Sequence, residues 1–293
     1  MIQSEYTTRI LPVSIEKKKK SAIRVPQIIL NAVIIFLLIL MIFPLAMSVW
    51  NAFKLDYQFT DTMWYPTFPL NIYNLFDAFS QLKGYMFNTV MVGVIGGGGL
   101  LIIAGLAAYA FARIDFPGRS FFFSVVIALL MMPGVLTLIP TIQLYKQFGL
   151  LNKRFSLILP LWTTGPIFGV FLLTSFFKGI PKDIFESAKI DGATDVHCFV
   201  KIALPLCMPI LGTLTIMTLT NIWNDYLWPM TVLENVEYMT ISAGLVLTYT
   251  KEHSSNMPLQ FAGYLVASAP LIILFVAANK YYIEGLVGAS IKM

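Results

Sequence analysis

The densest set of hydrogen-bonding side chains within an apolar stretch is Asn221-Ile222-Trp223-Asn224-Asp225-Tyr226-Leu227-Trp228-Pro229. Amides and a carboxylate offer donors and acceptors side by side. That equipment suits reversible recognition of a polyhydroxylated molecule, with hydroxyls against Asn221, Asn224 and Asp225 and sugar rings stacked on Trp223, Tyr226 or Trp228. The same aromatics equally fit anchoring at a membrane–water interface. An acid at membrane depth is expensive, so Asp225 should face a bundle interior or a wet cavity. Bond-making chemistry lacks its parts. His197 and His253 fall on opposite sides of the membrane, Cys198 and Cys207 sit in or beside one polar loop, and the spans hold no paired carboxylates and no Ser/His/Asp arrangement. Nothing in the pattern predicts a bound metal or a catalytic residue.

A second set lies in a polar island between two apolar spans: Glu186-Ser187-Ala188-Lys189-Ile190-Asp191-Gly192, then Ile202, Leu204 and Pro205. Pro181 suits the first turn of a helix, where its missing N–H is not needed. Asp183 and Glu186 then lie near the positive end of the helix dipole. Ile184, Ala188 and Asp191 recur at helical spacing, while Lys182, Glu186 and Lys189 make a charged face. Gly192 permits a sharp turn. Thr194 or Asp195 can cap a second helix running to about Ala203, which Leu204-Pro205 should break. Such a unit could be a solvated connector, or a compact docking element for a soluble motor.

The elements that must position both sets are membrane helices. The chain is 57% hydrophobic and 12% charged, with a mean hydropathy of +0.76, a balance no ordinary soluble domain shows. Apolar runs long enough to cross about 30 Å of hydrocarbon occur near 26–50, 85–111, 120–142, 156–177, 206–230 and 260–282. Backbone groups in lipid must pair internally, which predicts helices, and the runs are too long and continuous for barrel strands. The first is too long for a signal-peptide core and lacks a small-residue cleavage site, so we read it as retained. Gly96-Gly97-Gly98-Gly99 is followed by no Gly-Lys-Ser/Thr and lies inside a span, so it predicts close helix packing, with Gly93 and Gly105, rather than a phosphate loop. Prolines at 133, 140, 160, 166, 209, 229 and 270 punctuate the spans.

With the N-terminus inside, fourteen of the twenty basic residues fall on the cytoplasmic side, including Lys17 to Lys20, Arg113, Lys182 and Lys280. This predicts cytoplasmic termini and a cytoplasmic Glu186 loop. The net charge of +5 is thus a topology signal and not a nucleic-acid footprint. The predicted organisation is a basic N-terminal segment at 1–25, an all-α polytopic domain of six spans at 26–283 with a polar loop near 178–205, and a cytoplasmic tail at 284–293.

The spacing Glu-Ala-Ala, three residues, Gly, nine residues, Ile, one residue, Leu-Pro is the loop signature of the membrane subunits of binding-protein-dependent ABC importers. This chain resembles it with one departure, Ser187 for the first Ala. Ala107-Ala108-Tyr109-Ala110-Phe111-Ala112-Arg113, Phe116-Pro117-Gly118-Arg119, Met132-Pro133-Gly134, Phe148-Gly149-Leu150-Leu151-Asn152, the Trp223–Pro229 string and Glu284-Gly285-Leu286 extend the likeness over roughly 26–293. It is to the maltose-importer type of permease subunit in carbohydrate importers.

The resemblance implies a bacterial or archaeal cytoplasmic membrane and a homologous second permease subunit. It also implies two separate ATPase subunits carrying ATP and Mg, and an extracytoplasmic solute-binding protein. The chain itself would be neither an enzyme nor a cofactor binder. Its coupling residues would be Glu186, Ser187, Ala188, Asp191, Gly192, Leu204 and Pro205, with Glu284, Gly285 and Lys292 reaching toward the ATPases. The outer segment 231–259 would enter the binding protein's cleft. The cargo would be a sugar, with a glycerol-phosphate ester or a peptide as the alternative. A self-sufficient transporter or channel is disfavoured by the absence of visible inverted half-repeats and of ion-relay charges beyond Asp225.

Overall fold

The structure is a computed structural model, and it describes residues 25–250 and 256–290, with side chains for 27–249 and 256–278. All regular structure among these residues is helical. Four helices are long and apolar enough to cross a membrane, and six if each of two bent pairs counts as one span. The chain is an all-α polytopic membrane protein.

By packing, the described chain falls into two units, one being the first helix up to Ala46 and the other running from Met47. That helix, α1 (Val25–Ala52), exposes every described side chain from Gln27 to Leu45. An apolar stripe on all sides needs lipid or another apolar surface as solvent.

The second unit takes in α2 (Asp56–Thr62), in the stretch between the first and second expected spans. Lys54, fully buried, closes that stretch by donating to the backbone carbonyls of Thr62 and Tyr65, the latter at 2.8 Å. Asn51 Nδ2 donates to Met63 O at 3.0 Å, and Asn74 Nδ2 to Ala52 O and Lys54 O at 3.0 and 2.9 Å. A buried lysine is tolerable when carbonyl dipoles replace its water.

The second span starts earlier than the hydropathy suggested. It is one continuous helix from Tyr73 to Arg113, with α3 (Tyr73–Val92) and α4 (Gly98–Arg113) joined by a π-helical turn at Gly93–Gly97. Polar residues such as Asn74, Asp77 and Lys83 masked its first turns. The glycines sit where other helices press in. A side chain at Gly96 would collide with Leu161 Cδ1 and one at Gly99 with the Trp162 indole, whereas Gly98 faces open space.

The third span is bent by 100° between α5 (Arg119–Leu130) and α6 (Gly134–Gln147). Pro133, extended at ψ 124, cannot continue the helix. The fourth comprises α7 (Phe155–Thr163) and α8 (Pro166–Gly179). Then come α9 (Lys182–Ile190), α10 (Asp195–Cys198) with a π turn at Phe199–Ala203, and α11 (Leu204–Leu206). The break comes at Cys207, one turn later than the expected Leu204-Pro205, with an 80° bend before α12 (Met208–Asn224).

The fifth span departs furthest from expectation. Asn221 to Pro229 is not one helix: α12 stops at Asn224, Asp225 is extended at ψ 112, and α13 (Leu227–Val232) starts afresh. Asp225 Oδ1 accepts from Trp228 N at 3.1 Å, capping α13. The segment expected as an outer loop from 231 is also folded. Its α14 (Ile241–Thr250) packs on α3, where Asn88 Nδ2 donates to Glu237 O and Met239 O and Thr89 Oγ1 accepts from Ile241 N at 2.7 Å. The last helix is α15 (Met257–Ser290), packed on α3 and α12.

Overpacking a well-packed core costs about 1–3 kcal/mol. Gly96→Val should therefore lower the thermal midpoint of the detergent-purified protein, while Gly98→Ala should leave it unchanged or raise it. Differential scanning fluorimetry of both variants checks this, and equal shifts would contradict the packing described.

Candidate functional site: a helix–turn–helix at one end and a cavity among the spans

The helix–turn–helix is built from its turn outward. Gly192 has φ +86, the left-handed region that favours glycine. Its N–H donates to Lys189 O at 3.0 Å, and Ala193 N–H donates to Ala188 O at 2.9 Å. These paired bonds form the Schellman motif that ends a helix and reverses the chain. On the far side of the turn, Thr194 Oγ1 accepts from His197 N at 3.3 Å and starts α10. Lys189 Nζ meets Asp195 Oδ1 at 2.9 Å across the turn. That hydrogen bond, then the Asp195 charge, pushes the Lys189 ammonium above its ordinary 10.5. The lysine's share of the pair is therefore present at neutral pH and is lost as alkaline pH deprotonates it. Both partners are half exposed, so it is small.

α9 has two distinct faces. Phe185 is buried and Ala188 partly so, while Glu186, Ser187, Asp191 and Gly192 are exposed. Among the described residues Glu186 has no ion-pair partner, which leaves its carboxylate presented outward. Leu204 is partly buried and Pro205 exposed, both in the short turn α11.

Phe185 inserts into a cluster with Tyr109, Phe177 and Phe199, its ring centroid 6.3 Å from that of Tyr109. Over its face lies the Arg113 guanidinium, 4.2 Å from the centroid. Arg113 also donates to the backbone carbonyls of Phe177 and Ile180, at the end of α8. One side chain from the end of α4 therefore ties α4, α8 and α9 together. Tyr109 and Arg113 belong to the Ala107–Arg113 stretch, which the pattern alone singled out only as a family likeness. The helical offset of an aromatic and a cation at i and i+4 was the available signal.

A cavity of about 590 Å³ lies among α4, α7, α8 and α12 and the break after α12. Its polar lining is Thr218, Asn221, Asp225 and Thr240, beside Trp228. Of the five residues read from sequence as a substrate path, the structure brings Asn221 and Asp225 to this cavity. Trp223 is turned away: its Nε1 donates to Ala267 O of α15 at 3.0 Å. Asn224 Nδ2 donates to Thr220 O within its own helix at 3.0 Å, and Tyr226 is exposed outside the lining. Trp228 is held by a bond from Nε1 to Ser156 O at 2.9 Å and by an edge-on contact with Tyr145. Thr218 and Thr240 carried no sequence signal, because a threonine on an apolar helix or in a connector is unremarkable.

Glu284 and Gly285 fall on α15, where side chains are not described. Lys292 and the Lys17 to Lys20 cluster lie outside the described residues.

Comparison with known proteins sets these features in a family. The chain is 35% identical over 192 residues to the arabinooligosaccharides transport system permease protein AraQ of Halalkalibacterium halodurans, covering 66% of this chain and 68% of that one. It is 30% identical over 256 residues to the probable ABC transporter permease protein YurM of Bacillus subtilis, covering 87% and 85%. Among solved structures, a chain of a bacterial ABC transporter that imports the acidic polysaccharide alginate superposes with a TM-score of 0.78. It covers 87% of this chain and 95% of that chain at 22% identity, a likeness of fold. The profile of the binding-protein-dependent transport system inner membrane components matches residues 101–286, and the chain belongs to that family.

Proposed function

We propose that this chain is one membrane-spanning subunit of an ATP-driven importer that moves an oligosaccharide delivered by an extracytoplasmic binding protein. The observation that carries this reading is the helix–turn–helix of α9 and α10. Its outward face presents Glu186, which has no ion-pair partner among the described residues, with Ser187, Asp191 and the exposed Ile190, and its inward face is locked to the spans by Arg113 and Phe185. An element so built passes a push from a soluble motor into α4 and α8. ATP and Mg belong on separate ATPase subunits, a homologous second permease completes the path, and Glu186 pairs with a basic ATPase residue. The tail Glu284, Gly285 and Lys292 runs toward the same ATPases. The sugar cargo is supported by the arabinooligosaccharide relative and by hydroxyl-matching groups in the cavity. These features favour a sugar over the glycerol-phosphate or peptide alternative.

Three outcomes follow from this mechanism. Gly192→Pro removes the N–H given to Lys189 O and forbids φ +86. Arg113→Met strips the Phe177 and Ile180 carbonyls of a charged donor, worth about 1.5–3 kcal/mol. Both variants, with Glu186→Lys, should insert and co-purify with partner subunits to at least a partial extent, yet lose sugar-stimulated ATP hydrolysis and uptake. Normal stimulation in all three would sink the coupling assignment.

For the cavity, Asn221→Ala should raise the half-saturating sugar concentration for uptake several-fold, on the scale of about 1 kcal/mol for one hydrogen bond. Asn224→Ala should not. Uptake kinetics beside complex yield decide it, since loss of yield without a change in half-saturation would mean a structural clamp.

For orientation, a cysteine at the exposed Ser80 should react with an impermeant maleimide in intact cells, and one at Ser4 only after permeabilisation. The reverse pattern would invert the proposed topology.

A further inference from the structure

The cavity's charge points to the class of sugar. Among its described lining residues Asp225 is the one formally charged side chain, and the remainder are apolar groups, threonines, Asn221 and the Trp228 indole. Among the described residues no lysine, arginine or histidine lines it. The basic residues at the start of α7 do not reach it: Lys153 and Arg154 are absent from the lining, and the Arg154 guanidinium lies over the Tyr238 ring, 4.8 Å from its centroid.

A uronate or phosphate moving through such a space gives up water and needs a positive partner in return. This half of the path offers none, and the Asp225 carboxylate repels an anion at short range in a medium of low dielectric constant. An uncharged sugar meets matched groups instead. Its hydroxyls find acceptors on Asp225, a donor and acceptor pair on Asn221 and hydroxyls on Thr218 and Thr240, and its apolar ring face finds Trp228.

Building on the oligosaccharide reading above, we infer that the path through this chain selects uncharged oligosaccharides and discriminates against uronates and phosphorylated sugars, with Asp225 as the discriminating residue. The Asp225 cap on α13 fixes where that charge sits, because Oδ1 is held by Trp228 N–H at 3.1 Å. The fold shared with an alginate importer subunit does not carry an acidic cargo with it. At 22% identity the two chains need share no lining side chain.

The test uses the complete complex in lipid nanodiscs without the binding protein, so that the binding protein's own selectivity is removed. Labelled neutral arabino- and gluco-oligosaccharides and oligouronates of equal length are titrated against it. A Thr218→Cys variant reports occupancy locally through protection from a small thiol reagent. We expect neutral sugars to bind and protect, and oligouronates to bind at least about tenfold more weakly. Asp225→Asn should narrow that gap several-fold while retaining an oxygen for the α13 cap. Equal or tighter binding of uronates overturns the charge inference and leaves the importer reading standing. A gap that Asp225→Asn does not change removes the role given to Asp225. Failure of both series to bind in nanodiscs and to be taken up into proteoliposomes once the binding protein is restored overturns the sugar reading and this inference with it.

Discussion

The Arg113 guanidinium is the constraint on which the α9 end of the molecule depends. Its Nη2 serves two carbonyls at the end of α8, and its flat face covers Phe185 of α9. Helix ends leave carbonyls without intrahelical partners, and a buried end without a donor is costly. Arginine fits because it is always charged, planar and able to bond and stack at once. A lysine would supply charge without the flat face that covers Phe185. The cation therefore does three jobs from one position: it ends α8, orients α9 and joins both to the last turn of α4.

Around that cation the packing is aromatic and rigid. Tyr109 sits edge-on to Phe177 and tilted against Phe185 and Phe199. Aromatic pairs in such geometry add about 0.5–1.5 kcal/mol beyond their buried area. Interiors at this density move as bodies rather than deform continuously. A displacement of α9 is consequently inherited by α4 and α8, which also help to wall the cavity. The cavity and the helix–turn–helix are thus joined through packed helices.

At the cavity, the break after Asn224 matters more than any single polar side chain. Ending α12 there releases backbone that lipid could not accommodate, and protein groups take it up: Asp225 O accepts from Thr240 Oγ1, and Trp223 O from Ser242 Oγ. Irregular backbone at membrane depth is tolerated where it is buried in protein or lines a cavity. The same break splits the aromatic string: Trp223 stays on α12 and bonds to α15, while Trp228 moves onto α13 and reaches the cavity.

Hydropathy, charge and one spacing carried much of this protein in the sequence itself. Lipid forces apolar runs to be helices, so the all-α polytopic class needed no coordinates. The turn at Gly192 was legible because few residues other than glycine accept a left-handed backbone, and Thr194 was legible as a cap because its oxygen must serve an orphan N–H. Other features were decided only in three dimensions. The start of the second span at Tyr73 was hidden because Asp77 and Lys83 break the apolar run and because Asn74 is buried by backbone carbonyls of Ala52 and Lys54, distant in the chain. Lys54, in the stretch after the first expected span, is buried because carbonyls up to eleven residues away collect around it. A periodic pattern reports which side of a helix is apolar, but not which neighbour covers it. That is why Asn221 and Asn224, alike on paper, part company, one at the cavity and the other bonded to its own helix.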